Sequence, residues 1–149
     1  MNLQKIDDRL IYFFKSVSVP FARLGLFVVF FWFGALKVVG LSPASGLMQA
    51  LFEQTINFIS FNHFMILFGL FECLIGVLFL FRGFERIVLP LLFLHMLLTF
   101  LPLFVLPEAT WSGFLVPTLE GQYIIKNLGI IAAAIGIVAN LPSSNKSQS

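Results

Sequence analysis

Four ionisable residues interrupt the long apolar stretches of this sequence: Lys37, Glu72, His95 and Lys126. A charged side chain near the centre of a bilayer costs about 2.5 kcal/mol or more, so each group needs a reason to be there. A carboxyl and an imidazole can relay a proton, and a cation in a dry site stabilises developing negative charge. We therefore predict Glu72 and His95 as catalytic residues and Lys37 and Lys126 as ligand-binding residues. Trp32 is a further ligand-binding candidate, because its ring could stack on a flat molecule.

Small residues indicate where two of these groups point. In lipid, small side chains mark the faces at which helices contact one another. Both Glu72 and Lys126 lie on such faces, which predicts that they point into a helical bundle, with Lys126 or Lys37 as the cation that pairs with Glu72. The small residues are Gly69, Cys73 and Gly76 beside Glu72, and Gly129, Ala133 and Gly136 beside Lys126.

Structural roles compete with these chemical ones. Lys37 and Lys126 lie near the ends of their apolar stretches, from which a lysine can snorkel to the headgroups. A pair between Glu72 and a lysine could serve only to hold two helices together. His95 could likewise be an interhelical hydrogen-bond donor, and Trp32 could simply contact lipid.

The composition around these groups is that of a membrane protein. Of the 149 residues, 59% are apolar and 11% are charged, against about 25% charged in a soluble domain. A soluble domain this small could not bury so much apolar surface. The composition therefore excludes a soluble enzyme, a disordered chain and a nucleic-acid-binding protein. A single cysteine, Cys73, excludes an internal disulfide and a multi-cysteine metal site.

Four stretches are long enough to cross a bilayer as helices, which requires about 20 apolar residues each. We predict an all-α membrane protein, a four-transmembrane-helix bundle whose spans cover about 20–41, 61–81, 87–107 and 123–141. Residues 1–19 are predicted to form an interfacial amphipathic helix that ends where Pro20 opens the first span. A short helix at 47–59, an irregular loop at 107–122 and a disordered tail at 142–149 complete the prediction.

The distribution of basic residues predicts the orientation. Seven of the nine Lys and Arg residues flank the spans on one side, and the two loops at about 42–60 and 108–122 contain neither type. The positive-inside rule then places both termini in the cytoplasm. The seven residues are Lys5, Arg9, Lys15, Arg23, Arg82, Arg86 and Lys146.

Three segments resemble the DoxX-like membrane proteins: GALK at 34–37, GLFECLIGVLFL at 69–80 and TLEGQYIIKNLGIIAAA at 118–134. The resemblance covers about residues 20–138 and is greatest to the inner-membrane branch linked to reactive-chlorine resistance. It implies a four-helix bundle in a bacterial inner membrane. The family pattern includes Lys37, Glu72 and Lys126, whereas His95 matches no family position.

The resemblance also implies a redox- or stress-associated function. DoxD-type members resemble the quinone-reacting subunit of thiosulfate:quinone oxidoreductase, so we expect quinone or another small redox molecule to bind in the outer half of the bundle. The sequence has no haem, flavin, nicotinamide or iron–sulfur motif, so a partner redox protein or the substrate would supply electrons. Two alternatives remain open: a non-enzymatic assembly or stress-resistance factor acting through a partner protein, and a small transporter or proton path formed by a homo-oligomer.

Overall fold

The computed structural model describes residues 3–56 and 58–141. Four helices in this part of the chain are long and apolar enough to cross a membrane: Gln4–Val38, Phe61–Leu80, Glu85–Val105 and Leu119–Ala139. The predicted all-α four-helix fold is confirmed, and the chain is a membrane protein. The elements are α1 (Leu3–Val38), α2 (Ser45–Thr55), α3 (Phe61–Leu80), α4 (Glu85–Phe100), α5 (Pro102–Val105), α6 (Pro107–Thr110), β1 (Trp111–Gly113), β2 (Val116–Pro117) and α7 (Leu119–Ala139).

The first helix is longer than predicted. The sequence predicts a break at Pro20, but α1 continues through this residue for 36 residues in all. Proline removes one backbone hydrogen bond from a helix, and no glycine or other helix-stop residue stands beside it. The position of residues 3–19 relative to a membrane surface stays a prediction. Residues 1 and 2, Lys146 and the predicted disordered tail at 142–149 lie outside the described residues.

Helices α1 and α3 pack at very short range through glycine. A Cβ atom added to Gly34 would lie 2.6 Å from the Gly69 carbonyl oxygen, and one added to Gly69 would lie 2.6 Å from the Gly34 carbonyl oxygen. Only a pair of glycines permits this approach. Lys37 and Glu72 each follow one of these glycines by three residues, so the same contact brings the two side chains to one place.

Below this contact, the four long helices share one hydrophobic core. Its large members include Phe30 of α1, Phe79 of α3, Leu92 of α4 and Ile137 of α7, none more than 3% exposed. The tight turn between α3 and α4 contains Gly83 at φ +96°, a conformation that favours glycine. This core fixes the relative positions of the helices that carry the ionisable groups.

The loop at 107–122 is more regular than predicted. It contains α6 and an antiparallel hairpin in which Trp111 is opposite Pro117, and α7 begins within it, with the Thr118 side chain accepting a hydrogen bond from the Gly121 N–H at 3.1 Å. Strands of two and three residues are too short to show a periodic sequence pattern. The helix predicted at 47–59 is observed as the shorter α2.

Candidate functional site

The centre of the candidate site is a buried cluster of three ionisable side chains. The Lys37 ammonium donates a hydrogen bond to Glu72 Oε2 at 2.6 Å, and His95 Nε2 lies 2.8 Å from Glu72 Oε1. Each of the three side chains is more than nine-tenths buried. Glu72 therefore lies between a cation on α1 and an imidazole on α4, with each carboxylate oxygen bound to a different helix.

Thr99 adds a fourth polar group and constrains the histidine. Its hydroxyl donates to the His95 backbone carbonyl at 2.9 Å, and its oxygen lies 3.3 Å from His95 Nδ1. Since the hydroxyl proton is used on the carbonyl, the oxygen is left to accept from an N–H at Nδ1. Nε2 is then the ring nitrogen that can share a proton with Glu72.

Aromatic rings surround the polar groups. Phe68 stacks on the His95 imidazole with ring centres 5.1 Å apart and planes 18° apart, and Phe30 packs edge-on at 5.2 Å. The Lys37 nitrogen lies 5.8 Å from the centre of the Phe68 ring. These walls lower the local dielectric constant, which strengthens the electrostatic interactions inside the cluster.

The Lys37 ammonium has spare hydrogen-bonding capacity. A lysine carries three N–H donors, but the bond to Glu72 is the single hydrogen bond of this nitrogen within the part of the chain that the structure describes. The other two donors face surroundings that include the Phe68 ring. A buried donor without an acceptor is costly, so this nitrogen favours an added acceptor such as a ligand oxygen or water.

A column of phenylalanine rings leads from α2 to this cluster. Phe52 of α2 packs against Phe64 with ring centres 5.2 Å apart, and Phe64 stacks on Phe68 at 5.6 Å with planes 17° apart. Phe68 in turn stacks on His95. The column connects the loop side of the bundle with the buried imidazole by a continuous apolar path.

Lys126 does not join the cluster. The sequence predicts that it points into the bundle, but the structure places it on the exposed side of α7, with its nitrogen 5.2 Å from the Tyr123 ring centre. The orientation prediction is wrong because α7 turns Ile124 inward, and a residue two positions later lies on the opposite side of a helix. A Cβ atom at Gly129 would meet nothing within 4 Å, so α7 makes no close helix contact at this glycine, one turn from Lys126.

Trp32 is also outside the cluster. It is 64% exposed, whereas Phe30, two residues earlier, is 3% exposed and contacts His95. The same geometry applies, since two residues turn a helix through about 200°. The predicted ligand stacking by Trp32 therefore has no support from its position, which is that of a lipid-facing residue.

A second buried ion pair lies near the other end of the bundle and was not predicted. Arg23 of α1 pairs with Glu85 at the start of α4 and also donates to the backbone carbonyl of Phe79 at 3.1 Å. Glu85 accepts the Gly83 N–H at 2.8 Å. The sequence identifies both charges only as members of flanking segments, although the place of Arg23 three residues inside the first apolar stretch was a signal. The pair ties α1 to the α3–α4 turn.

Neither of the two best-defined cavities of the described residues adjoins the cluster. A groove of about 180 Å³ lies between α1 and α7 beside Ala22 and Gly136, and a wider hollow of about 370 Å³ lies beside Leu47 and Glu120. Within the same residues, no group of three or more His, Cys, Asp or Glu side chains could hold a metal ion. Lys37 lines neither cavity.

Comparisons with known proteins identify no relative of this chain. No protein-family model, no curated protein and no solved structure matches it. The chemistry of the buried cluster and its place in the membrane fold are therefore the basis for a functional proposal.

Proposed function

We propose that this chain is a DoxX-like protein of a bacterial inner membrane that binds quinone or another small redox molecule and supplies protons to it. The observation that carries the proposal is the hydrogen-bonded network of Lys37, Glu72 and His95, which aromatic side chains surround. Glu72 and His95 are the proton-transfer residues, and Lys37 holds negative charge. The excess of basic residues on one side favours cytoplasmic termini.

Quinone reduction needs the groups that this cluster contains. Two electrons and two protons convert a quinone to a quinol, and negative charge develops on the carbonyl oxygens before protonation. The spare N–H donors of Lys37 could bind one such oxygen and stabilise this charge. Glu72 and His95 share a hydrogen bond through which a proton can pass, and a partner redox protein would deliver the electrons.

The aromatic column supplies a binding mode for a flat molecule. Phe64, Phe68 and the His95 ring are stacked in nearly parallel planes. A quinone ring could take the place of the Phe68 side chain in this stack after that side chain rotates, and its carbonyl oxygen would then be near Lys37. In this binding mode the ligand would lie in the half of the bundle that contains the C-terminal end of α1.

The direct test is the quinone content of the purified protein. Lipids are extracted from the protein purified from its membrane, and ubiquinone and menaquinone are quantified by mass spectrometry for wild type, Lys37→Met, Glu72→Gln and Lys126→Met. Hydrogen bonds to a charged group contribute about 1.5–3 kcal/mol. We therefore expect the Lys37→Met protein to retain at most about one tenth of the quinone that the wild-type protein retains. Lys126→Met is the matched control, since Lys126 is exposed, and should retain the wild-type amount.

Two results would contradict the proposal. One is a wild-type protein without bound quinone and without a spectral response to added ubiquinone or menaquinone. The other is equal quinone loss in Lys37→Met and Lys126→Met, because that would show binding at the lipid-exposed surface of the bundle.

A second candidate function is a non-enzymatic assembly or stress-resistance factor. It is favoured by the high burial of the cluster and by its position beside the Gly34–Gly69 contact, where an ion pair would lock α1 to α3. The exchange Lys37→Glu with Glu72→Lys distinguishes the two functions. A structural lock should retain cellular stress resistance after the exchange, whereas a proton-transfer site should lose it even when the protein reaches wild-type levels in the membrane.

A further inference from the structure

The N-terminal third of α1 extends beyond the bundle. Helix α1 has 36 residues and α3 has 20, which correspond to about 54 Å and 30 Å of helix. From residue 4 to residue 16, every residue except Ile6 is exposed and none is buried. The hydrocarbon core of a bilayer is about 30 Å thick, so α1 cannot lie within it along its whole length.

The apolar side chains of this extension form a stripe on one side of the helix. Leu10 and Phe14 are 51% and 63% exposed, and the stripe continues in the span through Phe21 and Val28, which are 75% and 47% exposed. These residues are spaced by four and seven positions, so they share one face. The stripe is thus continuous with the face of α1 that contacts lipid in the span.

The bundle lies on the opposite face of the same helix. Arg23, Leu26 and Phe30 are each less than 8% exposed, and on a helical projection they lie about half a turn from the apolar stripe. Because α1 is continuous, the stripe of the extension points away from the bundle. The apolar stripe and the bundle-facing residues therefore lie on opposite sides of α1, and this placement determines the direction in which the extension must turn to reach lipid.

We propose that residues 3–16 turn outward in the helical turn before Pro20, away from the bundle axis, and lie on the adjacent leaflet with Leu10 and Phe14 in the lipid, while Val19 stays packed against the core. An outward turn brings the outer face of a helix against the membrane, whereas a turn beneath the bundle would leave the stripe in water. Pro20 is the hinge, since the missing N–H frees the Ser16 carbonyl from the helical ladder. The partner is a phospholipid surface, and the inference is independent of the redox proposal.

The basic residues of the extension suit an anionic surface. Lys5, Arg9 and Lys15 lie off the apolar stripe, against two acidic residues, Asp7 and Asp8. A helix with an apolar face and basic flanks binds in the interface plane, with its apolar face buried about 5–10 Å. The small net charge makes apolar burial the main contribution and anionic lipid a secondary one.

The test is a depth scan of the full-length protein in vesicles of phosphatidylcholine and phosphatidylglycerol. Residues 5–18 are replaced by cysteine one at a time in a Cys73→Ala background, nitroxide-labelled, and measured for collision with oxygen and with a water-soluble nickel chelate. A helix lying on the leaflet should give depths that oscillate with a period of 3.6 residues at a constant mean. If the helix instead stands upright in water, each label should lie about 1.5 Å farther from the membrane than the label on the following residue.

A matched pair of variants tests the role of the stripe. Leu10→Asp with Phe14→Asp should abolish the oscillation, whereas Tyr12→Asp with Ser16→Asp, on the other side of the helix, should preserve it. Uniform access of the nickel chelate across residues 5–18 would overturn the proposal. The proposal would also be overturned if the labels were shielded from both reagents and showed spin–spin broadening between chains. That result would show that a second copy of the chain, and not lipid, covers the apolar stripe. If the label depths change from a steady slope to an oscillation at a residue far from Pro20, the bend is not at this proline and the assignment of Pro20 as the hinge is wrong.

Discussion

Removing one partner of the Lys37–Glu72 pair should destabilise the protein more than removing both. At the observed 2.6 Å and an effective dielectric constant of 20, the attraction between unit charges is about 6 kcal/mol. The desolvation of two buried ions costs several kcal/mol each, so the net contribution of the pair is small. An unpaired buried charge retains the cost without the attraction.

We therefore expect Lys37→Met and Glu72→Gln each to lower the free energy of unfolding by about 3 kcal/mol, the lower end for a broken buried pair. The double variant should lose about 1 kcal/mol or less, because two uncharged side chains of similar size need no counter-ion. The coupling energy between the two positions would then be about 5 kcal/mol, above the usual range for contacting residues. Unfolding in mixed micelles, followed by near-ultraviolet circular dichroism, measures all four proteins of the cycle.

Additive losses would refute this reasoning. If the double variant is destabilised by the sum of the single effects, the two side chains do not depend on each other for charge compensation. His95 would then be the group that compensates Glu72, and His95→Gln should give the larger single effect.

Three further outcomes follow from the packing. Gly34→Ala should cost about 1–3 kcal/mol because the new methyl group meets a backbone carbonyl that cannot rotate away, while Gly129→Ala, facing open space, should be neutral or slightly stabilising in the same unfolding assay. Arg23→Met should cost about 3 kcal/mol by leaving a buried carboxylate unpaired, with exposed Arg86→Met as control; equal effects would contradict the pairing. Thr99→Val should leave stability within about 1 kcal/mol but change the histidine tautomer populations seen by ¹⁵N NMR, and an unchanged spectrum would exclude its contact with Nδ1.

Much of the fold is predictable from the sequence because lipid imposes a simple requirement. Apolar runs of about 20 residues must form helices that satisfy their own backbone groups, and the four observed spans match the predicted ones apart from their ends. The cost of placing a charge in lipid likewise selects Lys37, Glu72 and His95 from their positions in the apolar runs alone. The short hairpin at Trp111 depends on local hydrogen bonding that leaves little trace in the sequence pattern. The helix continues through Pro20 although the proline removes one of its backbone hydrogen bonds.

Which cation pairs with Glu72 depends on the tertiary structure. Lys37 and Lys126 are both lysines beside small residues, so the sequence does not distinguish them. The apolar residues of a membrane helix suit lipid and protein equally, so hydropathy does not show which face of α7 is buried. The close contact of Gly34 with Gly69 brings Lys37 to Glu72, whereas the inward turn of Ile124 leaves Lys126 outside.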